Sequence, residues 1–338
     1  MSWQTIILFG TFALGAFGMA WAATGAVLSM LRARAILDHP NERSSHSAPT
    51  PRGAGLAVIG VTLLVWCLVA ALTGALGLYW PVFLAALALA AISWRDDLHG
   101  LPAWPRLIAQ AVAVAVGMTA LPGDGLIFQG LLPPLVDSAV AALGWLWFVN
   151  LFNFMDGIDG ISAIETMAIG GGLCLVALIG GWAGDAGLYA LIIAMAAAGF
   201  LPWNRHPARI FLGDVGSVTL GYLLGWLLLG AAAEGHWAAA LLLPLYYLAD
   251  ATLTLLSRLR RREPIFEAHR KHYYQRAVRR GMSHGAVVGA VAAQNGLLMG
   301  AALLSLTGPL GALAALIIGA LSVIGLLWYF RGSSGEYR

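Results

Sequence analysis

The segment Asn150-Leu151-Phe152-Asn153-Phe154-Met155-Asp156-Gly157-Ile158-Asp159-Gly160 sets two asparagines and two aspartates among apolar residues, with a glycine after each acid. Hard cations such as Mg²⁺ take oxygen ligands from carboxylates, amides and phosphates. The segment has no Lys or Arg, so a metal ion is the natural counter-charge for Asp156 and Asp159. Its spacing is not that of the twelve-residue calcium loop. Four other segments carry polar chemistry. Trp94-Arg95-Asp96-Asp97-Leu98-His99-Gly100 holds adjacent carboxylates, whose mutual repulsion a cation would relieve. A solvated or capping pair is the plain alternative there. Ile210-Phe211-Leu212-Gly213-Asp214-Val215-Gly216-Ser217 puts Asp214 at the start of an apolar run. It either caps a helix or offers one more oxygen ligand.

The fourth segment runs from Asp38 through His46 to Pro49-Thr50-Pro51-Arg52-Gly53-Ala54-Gly55. Its prolines and glycines mark a loop. Arg52, at the mouth of an apolar run, suits a phosphate or a lipid headgroup. The fifth lies between Arg258 and Arg280 and contains Glu267-Ala268-His269-Arg270-Lys271-His272-Tyr273-Tyr274-Gln275-Arg276. Its basic flanks suit anionic lipid. His269, Lys271 and His272 better suit donation to phosphate oxygens, and Lys271 is the only lysine in the chain.

The elements that must hold these segments are apolar. Of 338 residues, 60% are hydrophobic and only 10% are charged, against about a quarter charged in soluble domains. Mean hydropathy is +0.80. Eleven apolar stretches are expected, near 5–31, 55–76, 78–94, 104–121, 135–150, 161–182, 186–203, 215–233, 237–257, 285–306 and 309–330. A spanning helix needs about 20 residues and a membrane strand only about ten alternating ones, so run length points to helices. The fold class expected is an all-α polytopic membrane protein of about eleven spans. It forms one integral-membrane domain over residues 1–338, with polar loops near 32–54, 94–106, 150–160, 204–217 and 258–284.

If the loop after the first stretch is cytoplasmic and the rest alternate, all 19 Lys and Arg fall on the cytoplasmic side. The positive-inside rule then puts the N-terminus outside and the C-terminus inside. No positive charge precedes the first apolar run, so the reading is an uncleaved anchor despite Ala20-Trp21-Ala22. Cys67 and Cys174 fall within stretches and read as packing residues. Basic residues on one face imply anionic partners there, lipid headgroups or nucleotides. No nucleic-acid partner is expected, and a homodimer is left open.

Ten of the 16 acids lie in cytoplasmic segments by this topology, and only Glu165 and Asp250 lie within spans. A transporter would carry polar groups near the midplane. Clustering on one face favours an enzyme working at the membrane surface. A lipid-phosphate or nucleotide-sugar transporter is the alternative. A scaffold subunit leaves the acidic loops unexplained.

The five segments, in order and over nearly the whole chain from Asp38 to Arg280, resemble the polyprenyl-phosphate N-acetylhexosamine-1-phosphate transferases. These enzymes start O-antigen, enterobacterial common antigen and wall teichoic acid, and include the phospho-MurNAc-pentapeptide transferase. The combination of NLFNFMDGIDG with FLGDVGS carries the resemblance, and eleven spans look like the O-antigen branch. The resemblance implies that Asp96 and Asp97 lie near the phosphates and that Asn153 and Asp214 are Mg²⁺ ligands. It places Asp156 and Asp159 at the nucleotide end and makes His272 the first histidine of a His-x-His-His loop. Arg52, His46, Asn150, His269, Lys271 and Arg276 would bind substrate. Ser44, Ala54, Tyr274 and Gln275 depart from the family's frequent Lys, Gly and His-His, which bears on sugar choice.

The implied reaction is attack by undecaprenyl phosphate on the β-phosphorus of a UDP-amino-sugar with loss of UMP. It would depend on Mg²⁺, or on Mn²⁺ in its place, at the cytoplasmic face of a bacterial inner membrane. Direct transfer is preferred to a covalent aspartyl intermediate.

Overall fold

The computed structural model describes residues 3–38, 49–121, 126–182, 184–264 and 269–332. The expected helices are there: α1 (Trp3–Ala33), α2 (Gly55–Thr73), α3 (Leu76–His99), α4 (Ala103–Met118), α5 (Pro134–Phe154), α6 (Ile161–Gly180), α7 (Ala186–Asn204) and α8 (Asp214–Ala231). They are followed by α9 (Trp237–Leu242), α10 (Leu245–Arg260), α11 (Tyr273–Arg279), α12 (His284–Leu304) and α13 (Pro309–Arg331). Among the described residues the only sheet is a two-residue antiparallel pair, β1 (Leu37–Asp38) with β2 (Thr50–Pro51).

Each of the eleven stretches lies on helix, and among the described residues nine helical segments are long and apolar enough to cross a membrane by length and composition. Two stretches fall short of that. α4 has 16 residues. The stretch 237–257 is cut at Leu243-Pro244, because Pro244 lacks the N–H that a continuous helix needs at that point. Upstream of the cut, α8 runs into α9 through a turn at Ala232–His236, kinked at Gly235, whose φ is 89°. Beyond the cut, α10 is two-faced. Tyr246, Tyr247, Asp250, Ala251, Thr254 and Arg258 are buried at helical spacing, while Leu253, Leu256 and Leu259 are exposed.

The outside of the bundle is apolar as well. Leu14, Leu72, Leu87, Leu135, Leu310 and Trp328 are all largely exposed. In water such a surface would be an association patch; against lipid it is the required one.

α8 is the axis of the molecule. It is buried without interruption from Val215 to Leu228 and packs against α3, α5, α2 and α6. Glycines permit the close approach. A Cβ on Gly221 would lie 3.0 Å from Val149 Cα of α5, and one on Gly225 2.3 Å from Trp145 Cδ1. At the start of α8, a Cβ on Gly55 would lie 2.2 Å from the Gly216 nitrogen, so α2 and α8 touch backbone to backbone. That crossing is fastened by Gly53 N–H and Ala54 N–H donating to Phe211 O, and by Gly55 N–H donating to Leu212 O, at 2.9–3.0 Å. The segment before α2 is thereby laid against the segment before α8, and Arg52 beside Asp214.

Candidate active site

Asp214, the first residue of α8, sits between two guanidiniums. Arg52 Nη2 is 2.6 Å from its Oδ1, and Arg106 Nη1 is 3.4 Å from its Oδ2. The same arginines hold the paired aspartates of α3: Arg52 Nε is 2.9 Å from Asp97 Oδ1, and Arg106 Nη1 is 2.8 Å from Asp96 Oδ2. The cations that relieve the repulsion of Asp96 and Asp97 are therefore guanidiniums of the chain itself. Chain positions far apart supply them, through the α2–α8 crossing and the start of α4. Three carboxylates facing two guanidiniums still leave one formal negative charge.

The two adjacent aspartates have different surroundings. Asp97 accepts from the backbone N–H of Asp214 and of Val215, each at 2.9 Å, and its side chain is 1% exposed. It caps the N-terminus of α8, where the helix dipole favours a carboxylate. Gly213 is required there, since its φ is 78° and a Cβ would lie 2.7 Å from Asp97 Oδ2. Asp96 instead accepts from Leu101 N–H and lines an open cavity.

That cavity, of about 600 Å³, has a mixed lining. Asp96, Arg106, Asn150, Asn153, His269 and His272 are among its polar residues, and Leu89, Ile92, Leu107 and Phe154 among its apolar ones. Asn150 donates to Gln110 Oε1 at 2.8 Å. Asn153 donates to Ser217 Oγ at 3.0 Å, so its carbonyl oxygen is the atom left to serve as a ligand.

His272 enters the cavity from the N-cap of α11. Its Nδ1 is 3.3 Å from Oδ1 of Asp250, and its ring stacks between His269 (4.8 Å) and Tyr274 (5.8 Å). Asp250 is fully buried and also accepts from Tyr246 Oη, Thr254 Oγ1 and the N–H groups of Tyr273 and Tyr274. It thus fixes the start of α11 and the His272 ring together. Burial, with the charges of His272, Arg258 and Lys271, pushes His269 down to about 4, which makes it a neutral imidazole at pH 7.

Other expected residues lie elsewhere. Lys271 Nζ pairs with Glu263 Oε2 at 2.6 Å. Arg276 donates to Lys271 O at 2.7 Å and stacks over Tyr273 at 5.0 Å. Neither lines the cavity. Asp156, in the turn after α5, is pushed up to about 7 by burial, against the pull of Ser162 and Arg52. Asp159 joins a separate cluster. His206 Nδ1 and His284 Nδ1 lie 2.6 and 3.4 Å from its Oδ2, and Ala208 N–H donates to that oxygen at 3.1 Å. Burial raises the Asp159 carboxyl, but the two histidines and this N–H outweigh it and hold it below its ordinary value. Arg52 is held more firmly protonated than usual by Asp214 and Asp97, which outweigh its burial. His46 lies outside the described residues.

Arg106, Asp250, Gln110, Ser217, His206 and His284 were not among the sequence-based candidates. Arg106 counted there only as a topogenic charge, and Asp250 only as an acid within a span. The signal for Asp250 was its spacing from Tyr246 and Thr254, which puts all three on one helix face.

Residues 79–232 match the model of a family described as glycosyl transferase family 4. The chain is similar to a Bacillus subtilis (strain 168) protein named probable undecaprenyl-phosphate N-acetylglucosaminyl 1-phosphate transferase. The two are 30% identical over 278 residues, covering 73% of this chain and 71% of the relative. It is 29% identical over 306 residues to the Mycobacterium tuberculosis (strain H37Rv) decaprenyl-phosphate N-acetylglucosaminephosphotransferase, covering 80% and 76% of the two chains. To the Mycolicibacterium smegmatis protein of the same name it is 31% identical over 308 residues, with 79% and 74% covered.

Proposed function

The chain belongs to glycosyl transferase family 4, the polyprenyl-phosphate hexosamine-1-phosphate transferases, and on that footing we propose the reaction that it catalyses. It transfers an N-acetylamino-sugar-1-phosphate from a UDP-sugar to undecaprenyl or another polyprenyl phosphate, and UMP is released. The relatives' names support N-acetylglucosamine as the class of sugar. Starting a lipid-linked surface glycan, O-antigen among the options, belongs to the same proposal. So do a bacterial inner-membrane location and an active site on the cytoplasmic face, which rest on the one-sided basic residues.

The observation that carries the reading is the mixed lining of the cavity. Its apolar residues suit isoprene units, and Arg106, His269 and His272 are available there to a phosphate. An acceptor oxygen attacks the β-phosphorus; the new P–O bond forms as the bond to the oxygen bridging the α-phosphate breaks. UMP leaves with that electron pair. A phosphate monoester has a second pKa of about 6, so the acceptor is largely dianionic at neutral pH. The barrier is then mainly the approach of two anions. Arg106, 39% exposed, turns towards the cavity, where it can hold acceptor oxygens, and Arg52 adds a second positive charge beside Asp214. Asp96 orients the acceptor or takes its remaining proton. Asp97 acts through backbone, by holding the start of α8 and with it Asp214.

A divalent cation fits this donor set. Asp214 and Asn153 offer oxygens beside a cluster with one surplus negative charge, which suits Mg²⁺ or Mn²⁺. When bound, such an ion would neutralise charge on the pyrophosphate and the leaving UMP.

The transporter alternative gains nothing from the geometry. Glu165 is fully buried and accepts from Asn295 at 2.8 Å, Asp250 is occupied by its own helix and α11, and neither lines this cavity. The test is UMP release by purified protein. It should require UDP-sugar and polyprenyl phosphate together; release that ignores the lipid phosphate removes the proposal.

A further inference from the structure

Asp250, on α10, is a fully buried carboxylate ringed by donors. Its Oδ1 accepts from Tyr273 N–H at 2.9 Å and from Thr254 Oγ1 at 3.3 Å. Its Oδ2 accepts from Tyr246 Oη at 3.1 Å and from Tyr274 N–H at 3.2 Å. A backbone N–H can only donate, so both oxygens are committed as acceptors. His272 Nδ1 lies 3.3 Å from Oδ1. A lone pair on Nδ1 would face the lone pairs of that oxygen, whereas a proton there makes a charge-assisted hydrogen bond. Gln275 N–H also approaches the His272 side chain, in the capping box of α11. That contact is between neutral groups, and a hydrogen bond to a carboxylate is roughly twice as strong, so the carboxylate decides where the proton sits.

Packing sets the rest of the ring. His272 is stacked between His269 and Tyr274, and its backbone N–H donates to Gln275 Oε1 at 3.3 Å. With Nδ1 turned to α10, Nε2 is the nitrogen left for the cavity that His272 lines, and among the described residues no hydrogen bond reaches it. The neighbouring charges are already engaged. Arg258 and Lys271 both pair with Glu263, and Arg106 across the cavity pairs with Asp96. His269, neutral at pH 7, sets no charge against the ring. Asp250 is thus the carboxylate that answers His272.

We propose that Asp250 is a positioning residue: it fixes His272 as the Nδ1–H tautomer, so that Nε2 takes the last proton of the acceptor phosphate and holds it there. The catalytic half of this rests on the transferase reading. In the step itself the phosphate O–H bond breaks, its electron pair stays on the oxygen that will attack, and an N–H bond forms at Nε2. The imidazolium then donates through both nitrogens, Nδ1 to Asp250 and Nε2 to the phosphate. Asp250 offsets the charge that the ring has gained, as a buried carboxylate behind a catalytic imidazole does. Asp96 is left to orient the acceptor. The same carboxylate holds the first two N–H groups of α11, so the ring and the helix start that carries it are aligned by one group.

The first measurement needs no sugar donor. Full-length protein with ¹⁵N-labelled histidine is placed in lipid nanodiscs, and its ring-nitrogen spectrum is compared with that of His272→Asn, whose missing signals belong to His272. Wild type should show Nδ1 protonated. The second measurement is UMP release. Asp250→Asn keeps the side chain's size and one acceptor oxygen, and it should lower kcat at least about tenfold. KM for the UDP-sugar should stay within about twofold, since the donor is not what Asp250 serves. In a His272→Asn background the same change should cost less than about twofold, because two residues that act through one contact are not additive. An Nε2–H tautomer in wild type, or an equal loss from Asp250→Asn in both backgrounds, overturns the proposal. A wild type that releases no UMP removes the transferase reading instead, and the spectrum still decides whether Asp250 sets the His272 tautomer.

Discussion

Replacing His272 by Asn, next to Arg261→Gln, separates catalysis from membrane attraction within one basic segment. His272 is 3% exposed, lines the cavity and is braced by Asp250, His269 and Tyr274. Asn is chosen because His272 is also the N-cap of α11, a position Asn fills well, so the helix start survives while the imidazole is lost. A donor aimed at developing charge contributes about 2.7–4 kcal/mol, on the order of 100- to 1,000-fold in rate. Arg261 is exposed at the end of α10. A basic residue at the membrane surface contributes about 1 kcal/mol of lipid attraction, about fivefold at most. The two variants should therefore differ by at least about 20-fold in kcat. The assay is UMP release at equal membrane abundance, with melting temperatures recorded for both. Arg261→Gln should mainly change salt sensitivity. Equal losses at the two positions would mean that the segment acts as a diffuse electrostatic surface, and the role given to His272 would fall.

Asp214→Asn should abolish turnover in a protein that still inserts and melts normally, and excess EDTA should do the same to wild type; a near-normal rate in either case removes the ion from Asp214. Gly55→Ala puts a methyl 2.2 Å from the Gly216 nitrogen and should lower stability by about 1–3 kcal/mol, while Gly60→Ala, with nothing within 4 Å, should not. Comparable melting curves for the two would refute the backbone contact between α2 and α8. Asp156, raised from 3.8 to about 7, holds its proton more tightly folded than unfolded. The folded state should therefore lose relative stability as pH climbs from about 4 to about 7 and level off above, a slope that Asp156→Asn should flatten. An unchanged slope in that variant assigns the titration elsewhere.

The helices were legible because each needs about 20 apolar residues, a local property of the chain. The cut at Pro244 was less so, since apolar residues continue through it and only the missing N–H ends the helix. The site was legible in its acids and not in their partners. Arg52 and Asp214 are 162 positions apart, and nothing local announces that Gly55 and Gly216 bring them together. For the same reason the sequence sets Asp159 with Asp156 at the nucleotide end but does not announce His206 and His284, which the fold brings beside it. Lys271 looked like a phosphate donor by its neighbours, yet Glu263, eight positions before it, holds its ammonium.

The central claim is that the β-phosphorus of the donor passes to the lipid. UDP-N-acetylglucosamine labelled at that phosphorus, incubated with purified protein and polyprenyl phosphate, tests it most directly. The account predicts label in the lipid fraction, with one UMP released per labelled lipid and none without the acceptor. Label that stays in water as UDP while the sugar alone moves, or that crosses a vesicle membrane without joining lipid, would contradict it.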